Sequence, residues 1–135
     1  SGCAEETGRM KWLRVDAVLA MHRRQIAEHG GEDGVRDLGL LESALARAQN
    51  IAAYEPEADI ARLAAAYGFG IAKNHPFIDG NKRTALVAMR TFLILNGCTI
   101  IATPADKYTT ILQLAEGTLS EEELTVWLRE RIDAI

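Results

Sequence analysis

Apolar residues recur along this chain at helical spacing almost from end to end. From Asp16, residues Val18, Leu19, Met21, His22, Ile26 and His29 trace one broad face, and Gly30-Gly31 stops the segment. Asp33-Gly34 marks a turn. The spacing predicts a second helix over 38–50, with Leu41, Leu45 and Ala48 inward and Glu42, Arg47 and Gln49 outward. Residues 51–57, which include Tyr54 and Pro56, read as a connecting loop. A third helix over 57–74 carries Ile60, Leu63, Ala64, Tyr67 and Ile71 on one stripe, and Pro76 breaks it. The fourth, over 81–95, is apolar almost all round, which predicts a buried central rod. Asn96-Gly97 ends it, and 98–103 reads as an extended connector. Two more helices, over 104–116 and 120–132, close the chain, the last opened by a Ser120/Glu123 capping box. The pattern predicts an all-α, single-domain bundle of about six helices.

At 135 residues the chain suffices for one domain with a core of its own. A hydrophobic share of 48% and a charged share of 25% are those of a globular protein. The net charge of -4 argues against broad attraction to nucleic acid or anionic lipid, so any anion binding must be local. No apolar run reaches membrane-spanning length. Cys3 and Cys98 are expected as reduced thiols of a cytoplasmic protein rather than as a disulfide. Residues 1–9 lack periodicity and read as a tail or expression remnant, leaving 10–135 as the domain.

Chemistry concentrates in Asn74-His75-Pro76-Phe77-Ile78-Asp79-Gly80-Asn81-Lys82-Arg83-Thr84-Ala85-Leu86. This loop opening a helix holds a proton acceptor, a carboxylate, a pivot, an amide and two cations. Lys82 and Arg83 fall in the first helical turn, against the dipole preference, and so call for a compensating anion such as a phosphate. Other features carry less. Gly68-Phe69-Gly70 lacks the third glycine and the preceding strand of a dinucleotide site and reads as close helix packing. His22 and His29 have no further ligand at metal spacing and read as core or surface histidines. Arg90 is expected to find a carboxylate elsewhere in the bundle, and Tyr54 to be half-buried packing.

The motif resembles the signature of the Fic/Doc superfamily, written H-x-F-x-[D/E]-G-N-G-R-x-x-R in its nucleotidyl-transferring branch. His75, Phe77, Asp79, Gly80, Asn81 and Arg83 match it. Lys82 stands in place of the second glycine and Leu86 in place of the final arginine, the form of the death-on-curing (Doc) branch. The stretch from Gly30-Gly31 through Gly34-Val35-Arg36-Asp37 to Leu40-Leu41-Glu42-Ser43-Ala44-Leu45 is similar to the N-terminal half of Doc-like proteins. The resemblance spans Met10 to the C-terminus and implies the Fic/Doc fold, with a flap-like loop before the third helix that aligns a target segment.

The resemblance also implies a reaction. Doc-type members bind ATP reversed, so that the γ-phosphate moves to a protein hydroxyl, as on elongation factor Tu for the best-known relatives. His75 is then the general base, Asp79 the Mg²⁺ ligand, and Gly80, Asn81, Lys82 and Arg83 the phosphate-binding set, with Phe77 a structural anchor. It further implies a cytoplasmic toxin of a toxin–antitoxin pair, with the antitoxin and a translation factor as partners. A self-inhibitory [S/T]-x-x-x-E-[G/N] motif is not completed, since Glu123 follows Thr118 to Glu122, so inhibition is expected in trans. The alternatives are AMP transfer to a protein hydroxyl and a catalytically silent nucleotide- or protein-binding module.

Overall fold

The computed structural model describes residues 10–135; the predicted N-terminal tail and Cys3 lie outside the described residues. The elements are α1 (Val15–His29), α2 (Leu38–Tyr54), α3 (Ile60–Asn74), α4 (Asn81–Leu95), β1 (Cys98–Ile100), α5 (Pro104–Glu116), α6 (Glu121–Arg129) and β2 (Ile132–Ala134). The all-α expectation holds, with six helices among the described residues.

Several boundaries differ from the sequence reading. Helix α2 runs on to Tyr54, because Ile51, Ala52 and Ala53 continue it without a breaker. The loop before α3 is therefore confined to 55–59, shorter than the flap-like loop expected over 51–57. Asp59 sets the start of α3 by accepting a hydrogen bond from the Arg62 N–H at 3.0 Å. Tyr54 is 87% exposed, not half-buried. At the other end α6 stops at Arg129, and 132–134 pairs antiparallel with 98–100, Ile100 opposite Ile132 and Cys98 opposite Ala134. Cys98 is buried, and whether it is paired turns on Cys3, which lies outside the described residues.

The central rod is α3 rather than α4. Eleven of its residues are buried, and it packs against α2, α4, α5 and α6. Alanines and glycines make this possible, since small side chains let neighbours approach on every side. A Cβ on Gly70 would lie 3.0 Å from Ala44 Cβ, and one on Gly68 would lie 3.0 Å from Met89 Sδ. The Gly68-Phe69-Gly70 pair thus serves helix packing. Ile94 and Leu95 of α4, by contrast, are 47% and 43% exposed, so its apolar character does not translate into burial all round.

Candidate active site

The motif spans the junction of α3 and α4, and each of its backbone turns has a local cause. His75 ends α3 in the left-handed region, φ 50° and ψ 56°, the single non-glycine residue at positive φ among the described residues. Such a conformation costs an L-residue about 1–2 kcal/mol and needs outside support. Arg36 supplies it. Its guanidinium donates to the His75 carbonyl at 2.7 Å and to the Asn74 carbonyl at 2.8 Å, satisfying the open carbonyl end of α3 with a cation. The Arg36 and Asp37 N–H groups both donate to the Pro76 carbonyl, and Val35 forms an antiparallel bridge with Phe77. The segment between α1 and α2 is thus sewn onto the motif loop.

Phe77 is buried, 1% exposed, with His22 stacked on it at a centroid distance of 3.8 Å and 4° between planes. Asn81 is also buried. Its carboxamide accepts from the Phe77 N–H at 3.0 Å and donates to the Phe77 carbonyl at 2.9 Å. Asn81 also lines the motif cavity, and its backbone N–H and the second Nδ2 hydrogen have no partner among the described residues.

Gly80 makes the turn into α4 at φ 78° and offers no side-chain cap. The first helical bond of α4 runs from the Thr84 N–H to the Gly80 carbonyl, so the N–H groups of Asn81, Lys82 and Arg83 have no partner within the helix. Together with the helix dipole they form an anion-receiving end. His75, Ile78, Asp79, Gly80, Asn81, Lys82, Arg83 and Tyr108 line a cavity of about 290 Å³ at this point. Sequence reading singled out all of these except Ile78 and Tyr108. Tyr108 comes from α5, and no local spacing signals that an exposed tyrosine on a distant helix closes this cavity.

The Asp79 carboxylate is exposed, and its pKa is held below the ordinary carboxylate value. Hydrogen bonds from the Gly80 N–H at 2.8 Å and the Glu32 N–H at 3.3 Å are the main causes, and the charges of Arg83 and Lys82 add to them. Gly31 matters to this contact, since a Cβ there would meet Asp79 Oδ2 at 2.7 Å. Each Asp79 oxygen accepts one hydrogen bond and keeps lone pairs for a cation. No cluster of three or more metal-ligating side chains occurs among the described residues. A single carboxylate suits Mg²⁺ only where phosphates complete the shell, as in nucleotide sites. The donor set fits a nucleotide-borne metal and not a resident one.

The remaining candidates fall outside the cavity. His22 is a core residue, as expected, and His29 is exposed. Arg90 makes no ion pair among the described residues and does not reach the motif cavity; it lines a separate groove with Met21, Glu28 and Val87. Thr84 is buried one turn into α4 with its hydroxyl unpartnered.

Comparison with known proteins agrees with this geometry. The family model described as Fic/DOC family matches residues 12–93, which run from before α1 into the last turn of α4 and include the whole motif. "Protein kinase doc" of Escherichia phage P1 is 35% identical over 95 residues, 70% of this chain and 75% of that protein. "Toxin Doc" of Mycolicibacterium smegmatis is 47% identical over 77 residues, 54% of this chain and 57% of that protein. The matched family model, the similarity to these relatives and the His75–Arg83 motif around one cavity make this chain a member of the Fic/Doc family.

Proposed function

We propose that this protein is the toxin of a toxin–antitoxin pair and an ATP-dependent protein phosphotransferase that moves the γ-phosphate to a Ser or Thr hydroxyl of a translation factor. Elongation factor Tu is the first candidate substrate, and the cell compartment of action is the cytoplasm. The names of the two relatives, a kinase and a toxin, support both halves of this reading. The observation that carries it is the union of His75, Asp79, Lys82 and Arg83 around one cavity at an uncapped helix N-terminus.

In this reading His75 accepts the proton of the incoming hydroxyl, whose oxygen attacks the γ-phosphorus while the bond to the β-bridging oxygen breaks and ADP departs. The free N–H groups of α4 and the side chains of Lys82 and Arg83 hold the charge that spreads over the phosphoryl oxygens. Asp79 is the residue that would hold Mg²⁺, which when bound neutralises phosphate charge. Lys82 occupies part of the cradle that a glycine leaves open for a diphosphate, which favours entry of the nucleotide by its γ end.

AMP transfer is the second reading, since the same base and anion-binding end would serve it. The test in cells is expression of the chain alone. Growth arrest is expected from the intact protein and none from His75→Ala at equal abundance. Arrest that persists in His75→Ala would point instead to a silent binding module. Relief of the arrest by a cognate antitoxin would establish the partnership.

A further inference from the structure

His22 lies on α1, far from the motif in sequence, yet it touches three of the motif's positions. Its ring stacks on Phe77 at 3.8 Å. Its Nε2 is 2.7 Å from the Asp79 carbonyl oxygen. A Cβ built on Gly80 would lie 3.6 Å from the ring, so the imidazole also forms the floor under the αL turn. The ring is 2% exposed. A carbonyl only accepts, so Nε2 carries the proton, and Nδ1 looks towards Asp33 Oδ1 at 3.8 Å, too far for a hydrogen bond.

We infer that His22 is a positioning residue that sets the Asp79–Gly80 peptide, and through it the direction in which the N-terminus of α4 meets an anion. This rests on the phosphotransferase reading for its consequence but not for its geometry. The Asp79–Gly80 peptide joins the carboxylate-bearing residue to the glycine that turns the chain into α4. Its carbonyl is held from below by His22, while the N–H at its other end is held by the Asp79 side chain at 2.8 Å. Rotation of that peptide would swing the carboxylate and the free N–H groups together. Packing against Phe77 alone would be served equally by a phenylalanine. Beyond a phenyl ring, histidine adds Nδ1, which faces the exposed Asp33 carboxylate at 3.8 Å, and the Nε2–H donor, which is the group within hydrogen-bond reach of the motif backbone.

The test compares His22→Phe, which keeps an aromatic ring on Phe77 without a donor, with His22→Gln, which restores a donor near the Nε2 position. Thermal unfolding, amide hydrogen exchange of residues 79–83 by NMR, and ADP affinity by calorimetry are read on the whole chain. We expect His22→Phe to melt within a few degrees of the wild type, to exchange the hydrogen-bonded Gly80 amide about tenfold faster, and to bind ADP about tenfold more weakly. His22→Gln should recover most of both losses. Wild-type exchange and ADP affinity in His22→Phe would overturn the inference, as would a His22→Gln no better than His22→Phe. If His22→Phe does not fold, His22→Met replaces it in the same comparison, and equal behaviour of Met and Gln variants overturns the inference. If the wild type itself binds no ADP, the nucleotide reading fails, while the exchange rates still report on His22.

Discussion

The amide of Asn81 and the guanidinium of Arg36 do for the motif what no catalytic group can do for itself. Each satisfies backbone groups that the irregular chain at 74–80 leaves without secondary-structure partners. Asn81→Ala leaves the buried N–H and C=O of Phe77 unpaired, which should cost about 2–4 kcal/mol in denaturant unfolding. Loss below about 0.5 kcal/mol would mean that the Phe77 backbone finds other partners. Asp79 predicts the acid behaviour of the site. Its carboxyl is lowered by the Gly80 and Glu32 N–H groups, so the turn is fully held above the usual carboxylate range and loosens only as pH falls through the lowered value. The protection factor of the Gly80 amide, its exchange rate relative to the intrinsic rate at each pH, should therefore hold at pH 5 and fall at more acid pH. In Asp79→Asn the acid-induced fall should be absent.

Helices were legible where one face is apolar and the ends carry capping residues. The Ser120/Glu123 capping box and the break at Pro76 lie where the sequence puts them. Hydrophobicity alone does not identify the central element, because burial here follows from small side chains. Helix α3 owes its position to Ala44, Gly68 and Gly70, whose small size permits contact on all sides, whereas bulky α4 leaves Ile94 and Leu95 in solvent. The β1–β2 pairing joins residues more than thirty positions apart, and no local periodicity encodes it. Gly70→Ala tests the packing argument. Its methyl would press on Ala44 Cβ at 3.0 Å and on the Ala44 carbonyl at 3.2 Å, and should cost about 1–3 kcal/mol despite better helix propensity. A variant as stable as the wild type would show that α2 and α3 can part without loss.

For the molecule as a whole, the core joins the N-terminal segment to the central helices through Tyr67. Its ring packs on Phe92 at 4.9 Å, and its buried hydroxyl accepts from the Leu13 N–H at 3.1 Å. Burial pushes the phenol pKa up from 10.0 to about 12. A raised folded-state value means that the stabilisation is complete below pH 10 and is lost as pH rises through about 12. Up to about 2–3 kcal/mol is at stake in that window, and Tyr67→Phe should remove this alkaline dependence while costing about 1 kcal/mol at neutral pH. At the same scale the candidate site was largely legible, because its residues are contiguous in sequence. What the sequence could not reveal is the support from His22, Arg36 and Tyr108, which the fold brings in from α1, the segment before α2, and α5.

The direction of the nucleotide decides the account. The purified protein is incubated with bacterial lysate and Mg²⁺, in parallel with ATP labelled at the γ- and at the α-phosphate, and the labelled protein is identified. Label from the γ position alone, absent with His75→Ala, is the predicted result; label from the α position would contradict the role given to Lys82 and make the protein an AMP transferase.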